Sequence, residues 1–133
     1  MAETVPVALP DPLLTVSMLP GYCNGRLTTV SLAGELDRSN EREARSAIER
    51  ALGQGSVTLI IDLGRLAFMD SSGVSLLLHA YHALMKRHGK LVLVAPPGPV
   101  RRVLEMVRLS PMVPIYTTLA QAVAETSAES PDA

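Results

Sequence analysis

Aromatic residues are scarce in this chain. It has Phe68, Tyr22, Tyr81 and Tyr116, and no tryptophan. Stacking platforms for single-stranded nucleic acid are therefore unsupported. A dominant charge is also missing: 12 Lys and Arg face 13 Asp and Glu, for a formal net charge of −1. That balance offers no electrostatic footprint for nucleic acid or for an anionic membrane. The lone Cys23 excludes an intramolecular disulfide framework and fits a reducing compartment. No apolar run approaches the ~18–20 residues that span a bilayer. The opening Met1-Ala2-Glu3-Thr4-Val5-Pro6 has neither a basic n-region nor an apolar h-region, so no signal peptide and a cytoplasmic location are expected. A Gly-x-Ser-x-Gly elbow and a Gly-x-x-x-x-Gly-Lys-Ser/Thr loop are missing, and no His and carboxylate stand in a triad context. We expect no enzyme and no cofactor.

What remains is a packed globule. At 133 residues and 47% hydrophobic content, the chain suits one domain with a real core. The pattern divides it into an irregular N-terminal tail (1–12, with Pro6, Pro10 and Pro12), a domain over 13–126, and a flexible C-terminal tail (127–133). Leu13–Leu19 and Leu27–Ala33 read as two strands joined in a hairpin through Pro20–Gly25. Gly34-Glu35-Leu36-Asp37 then leads into a helix from Asn40 to Leu52. Its apolar face is Ala44, Ala47, Ile48, Ala51 and Leu52, with Gly53 and Gly55 as the stop. Val57–Ile61 has the continuous apolar character of a strand covered on both faces.

A helix is expected over Ser72–His88, with Val74, Leu77, Leu78, Tyr81, Leu84 and Met85 inward and Gly89 at C′. Leu91–Ala95 is a further buried strand. Pro99 then opens a short helix striped by Val100, Val103, Leu104 and Val107. Val113–Tyr116 is a short edge strand because it contains Pro114. Thr118-x-x-Gln121 resembles a capping box that opens a last helix to Glu125. The order ββαβαβαβα implies an α/β fold, with crossover helices on a mixed sheet of four to five strands.

The chemistry-bearing feature is Phe68-Met69-Asp70-Ser71-Ser72-Gly73, where a strand pattern runs straight into a helical one. A carboxylate and two hydroxyls at a helix start can form a plain cap, hold a phosphate ligand, or carry a phosphorylated serine. Missing motifs count against a nucleotide loop, but spacing alone does not separate cap from switch. His79 and His82 lack a third ligand, so no metal site is expected. They share an outward helix face with Ser75 and Lys86. Arg101, Arg102 and Arg108 read as an ordinary exposed face.

The segment from Val57 to Tyr116, together with Gly34-Glu35-Leu36-Asp37 and Phe68–Gly73, resembles a STAS domain of the anti-sigma factor antagonist type. In that family the residue after the motif Asp is phosphorylated by an anti-sigma factor that is a serine kinase. A PP2C-type phosphatase reverses the step, and the unphosphorylated antagonist binds the anti-sigma factor and frees the sigma factor. By position, the resemblance makes Ser71 the phosphoacceptor, with Ser72 as second choice. It places Asp37, Asp70, Ser72 and Gly73 at the partner-binding surface, and Ser75 and His79 are expected there because their outward helix face adjoins Ser71. The family often has Leu-Gly after Ser-Gly, where this chain has Val74-Ser75. The resemblance implies no nucleic-acid or membrane partner, and a monomer or weak dimer. The alternative is a stand-alone STAS module that binds a small ligand or nucleotide, or that serves as a subunit of a transport or stress-sensing assembly.

Overall fold

The computed structural model describes residues 14–20 and 27–129. Expectations for residues 1–13, for the turn holding Tyr22 and Cys23, and for residues 130–133 lie outside the described residues.

Strand β1 (Leu14–Pro20) pairs antiparallel with β2 (Leu27–Leu36), as the hairpin reading expects. Strands β2, β3 (Thr58–Met69), β4 (Lys90–Val94) and β5 (Ile115–Tyr116) run parallel, so the mixed sheet has the order β1-β2-β3-β4-β5. The crossovers are helices α1 (Glu41–Gly53), α2 (Ser71–Met85) and α3 (Pro99–Met106), and α4 (Leu119–Glu129) follows β5. Strand alternation sorts the core by face. Leu59, Ile61, Leu91 and Leu93 join the main cluster with α1, α2 and α3, while Ile60, Val92 and Val94 join a smaller one with Ala122 of α4.

In α1 the expected apolar face is the observed one: Ala44, Ala47, Ile48, Ala51 and Leu52 are all buried. Pro99 sits at the start of α3 as expected. Thr118 Oγ1 accepts from the Gln121 N–H, and Gln121 Oε1 accepts from the Thr117 N–H. The reciprocal capping is therefore present, displaced by one residue on the return side, and α4 continues past Glu125 to Glu129.

Several expectations need correction: β5 is only Ile115–Tyr116, so Pro114 precedes it, and Val107 follows α3 and is 46% exposed instead of joining its apolar stripe. β3 does not stop at Ile61 but continues to Met69, because Asp62–Met69 keep pairing with β2 through two register shifts after β4 has ended. β2 likewise runs on through Gly34-Glu35-Leu36 instead of stopping at Ala33. On α2 the buried residues are Gly73, Leu76, Leu77, Ala80 and Leu84, while Met85 is 49% exposed. The buried stripe takes in Leu76 and the small Gly73 and Ala80, while the expected Val74, Leu78 and Tyr81 are half-buried against the core. Finally, the left-handed residue after α2 is His88 (φ 58°), not Gly89. Gly89 is required for space: a Cβ there would stand 2.4 Å from the Val57 carbonyl oxygen.

Candidate functional site

The length of β3 positions the site. Met69 pairs with Leu36 at the ends of adjacent parallel strands, and the Asp70 N–H donates to the Leu36 carbonyl at 3.3 Å. Two strand-to-helix turns, Asp37–Asn40 and Asp70–Ser72, therefore lie side by side at the C-terminal ends of β2 and β3. This is the edge of an open α/β sheet where ligands and partners are commonly met.

Asp70 is the N-cap of α2. Its backbone is extended, and its side chain accepts from the Ser72 N–H at 2.8 Å. Its carbonyl accepts from Gly73 N–H at 3.0 Å and from Val74 N–H at 3.4 Å, which closes the first turn. Ser71 follows as the first helical residue and is exposed, whereas Ser72 is half-buried. The geometry thus separates the two hydroxyls that the sequence left together. Gly73 is buried: a Cβ on it would stand 2.2 Å from Met69 Cγ and 3.1 Å from Leu36 Cδ2. Its position shows a packing role beneath the turn.

The neighbouring turn is self-organised. Asp37 Oδ1 accepts from both the N–H (2.9 Å) and the hydroxyl (2.6 Å) of Ser39, an Asx-turn arrangement. Asn40, almost fully buried, accepts from the Asp37 N–H at 3.0 Å and donates to the Glu35 carbonyl at 2.8 Å. That pair of bonds holds the Asp37 loop in place. Sequence reasoning did not single out Ser39 and Asn40, although both are residue types that favour turns and helix caps.

Ser75 is exposed one turn below Ser71 on α2. His79, a turn further, is less free: its Nε2 lies 2.5 Å from Glu49 Oε2 of α1, tying the two helices. His82 meets Tyr81 edge-on at 5.4 Å. Beside the turn, Arg65, Ala67 and Phe68 of β3 are exposed, and Phe68, the only phenylalanine in the chain, is 47% exposed. The Ser71 hydroxyl therefore stands at two adjacent turns that carry the Asp70 and Asp37 carboxylates. Sequence reading quoted Phe68 within the motif but gave it no role, since its exposure depends on β3 extending past β4. Among the described residues, no group of three His, Cys, Asp or Glu is placed to hold a metal ion, and no helix is long and apolar enough to cross a membrane.

Comparison with known proteins follows the same lines. A family model described as the STAS domain matches residues 21–122. An anti-sigma F factor antagonist of Lysinibacillus sphaericus is 40% identical over 83 residues, 62% of this chain and 71% of that protein. A second one, from Paenibacillus polymyxa, is 31% identical over 97 residues, 72% of this chain and 83% of its own length. Among solved structures, an anti-sigma factor antagonist from Mycobacterium paratuberculosis aligns with a TM-score of 0.77 at 27% identity, covering 88% of this chain and 97% of that one. SpoIIAA in its unphosphorylated form aligns at 0.71 and 29% identity, covering 86% of this chain and 97% of that one. The Bacillus cell fate determinant SpoIIAA in its phosphorylated form aligns at 0.66 and 29% identity, covering 84% and 99%. The chain belongs to the STAS domain family, and these relatives are anti-sigma factor antagonists.

Proposed function

We propose that this protein is an anti-sigma factor antagonist switched by phosphorylation of Ser71. The unphosphorylated form binds an anti-sigma factor that is a serine kinase, and so frees the sigma factor. Phosphate on Ser71 ends that binding, and a PP2C-type phosphatase restores it. Asp37, Asp70, Ser72 and Ser75 form the partner-binding surface around it, with His79 at its margin.

The observation that carries this reading is the exposure of Ser71 at the first position of α2, between the N-cap Asp70 and the half-buried Ser72. A kinase needs a hydroxyl it can reach. The Ser71 side chain offers one, while Ser72 is half-buried and its backbone N–H is committed to the cap. The relatives support the reading, since SpoIIAA was solved both with and without phosphate and both forms resemble this chain.

A phosphoserine adds about −1.5 to −2 charges at neutral pH. A helix N-terminus tolerates that charge, so the fold need not change. A docked partner does not tolerate it equally. Buried at an interface beside the Asp70 and Asp37 carboxylates, an uncompensated anion costs several kcal/mol, roughly a thousandfold in affinity. Phosphorylation would therefore act at the interface and not by unfolding.

The test is incubation with ATP and the kinase-type anti-sigma factor of the same organism, followed by intact-mass and peptide mass spectrometry. One phosphate on the peptide holding Ser71, lost in Ser71→Ala, is expected. Ser71→Glu should fold normally and lose the partner in a pull-down. Full phosphorylation of the Ser71→Ala variant would overturn the assignment and pass it to Ser72.

A further inference from the structure

We propose that the outer edge of β1, together with the flank of α1 above it, is a second docking site, built for an acidic peptide in extended conformation. Among the described residues β1 is the terminal strand of the sheet, paired with β2 alone. Among the described residues no strand pairs with its other edge, whose N–H and C=O groups are a template on which a further strand can add. Over that edge lies a groove of about 430 Å³, floored by Leu14, Val16 and Ala47 and walled by Arg42, Ser46 and Arg50 with Glu43.

The wall has a direction and a spacing. α1 joins two parallel strands, so it runs back against β2, and it therefore points the same way as β1, which is antiparallel to β2. Arg42, Ser46 and Arg50 are successive i, i+4 positions, which sets the two arginines about 12 Å apart along the helix. On an added strand, side chains of one face recur every ~7 Å, so positions i and i+4 lie ~14 Å apart. Two acidic residues four apart thus match the two arginines, and the position between them meets Ala47 and Ser46. The ligand pattern is acidic-x-small or apolar-x-acidic. Neither Arg42 nor Arg50 is engaged in an ion pair among the described residues, unlike Arg45, which pairs with Glu41, and Arg101, which lies 3.5 Å from Glu105. Among the described residues the groove thus sets two cations against one Glu43, a charge balance that favours an anionic partner. The site stands on the far side of α1 from β3 and is independent of Ser71.

The test uses the full chain and a fluorescein-labelled peptide with Glu-Thr-Val-Thr-Glu at its centre, read by anisotropy. Saturable binding is expected, weakened at least tenfold in the double variant Arg42→Glu, Arg50→Glu and unchanged in Ser71→Glu. Both arginines are exposed, and circular dichroism checks that the double variant folds. A peptide with Lys for both Glu should not bind, and neither should one N-methylated at alternate residues, which lacks the ladder donors. No saturable binding, equal binding by the N-methylated peptide, or indifference to the double variant would each overturn the proposal. Sedimentation that shows a dimer dissolved by the double variant would seat a second copy of the chain at this edge instead, and overturn it as well.

Discussion

Gly73→Ala tests whether the turn beneath Ser71 depends on the space its glycine leaves open. The added Cβ would lie 2.2 Å from Cγ and 2.6 Å from Sδ of Met69, and 3.1 Å from Cδ2 of Leu36. Carbon atoms in contact rest at roughly 3.5–4.0 Å, so the nearest pair falls short by more than an ångström. Met69 and Leu36 are both buried, at 3% and 0% exposure, so neither can swing into solvent. Overpacking of this kind costs about 1–3 kcal/mol. Alanine in a helix gains about 0.5–1 kcal/mol over glycine, in the opposite direction. The steric term wins, and a net loss of about 1–2 kcal/mol is expected. Urea unfolding should show a lower midpoint at unchanged slope, and melting should fall by roughly 3–5 °C per kcal/mol for a chain of this size. In a Met69→Ala background the two closest clashing atoms are gone and only Leu36 Cδ2 at 3.1 Å remains, so there the same substitution should cost much less or stabilise. Gly73→Ala as stable as the parent, or equally costly in both backgrounds, would refute the reasoning.

Asp70→Ala should lose about 1 kcal/mol in thermal unfolding by removing the cap on α2, while Asp70→Asn, which keeps an acceptor for the Ser72 N–H, should lose clearly less. Equal losses would deny the cap. Gly89→Ala should be costlier than Gly73→Ala, at about 3 kcal/mol, because its Cβ meets the fixed Val57 backbone oxygen at 2.4 Å as well as Leu84 Cδ2 at 2.9 Å; denaturant midpoints give the comparison. His88→Gly should raise the melting point, by about 1 kcal/mol of relieved left-handed strain at φ 58°. Thr28→Val should cost about 1–3 kcal/mol, since it orphans the buried Ser56 hydroxyl 2.5 Å away, and adding Ser56→Ala should recover much of it.

The legible parts of the sequence were those where a local period matches the final environment. α1 has one apolar stripe against one sheet face, so its buried residues could be read directly. The hairpin and the core strands Leu59–Ile61 and Leu91–Val94 follow from β-rich apolar runs between turn residues. The second half of β3 was not legible. Leu63-Gly64-Arg65-Leu66-Ala67-Phe68-Met69 buries Leu63, Leu66 and Met69 at intervals of three, and its strand character rests on pairing with β2 across register shifts. On α2 hydropathy found the core-facing leucines but not the buried Gly73 and Ala80, which a count of apolar bulk does not single out.

At the site itself, the order of residues was enough to establish that an Asp-Ser-Ser-Gly turn opens a helix, since Asp caps through its own side chain and the glycine admits a close approach. Composition set only an expectation about partners, since balanced charge and few aromatics offer no footprint for nucleic acid. Three other matters needed tertiary structure. The Asp37 turn stands beside Ser71 only because β2 and β3 pair to their last residues. Ser71 is exposed and Ser72 half-buried only because α2 settles on the sheet at one particular rotation. The basic flank of α1 lies over β1 only because β1 ends the sheet among the described residues. Each depends on contacts between residues far apart in the chain, which no local period encodes.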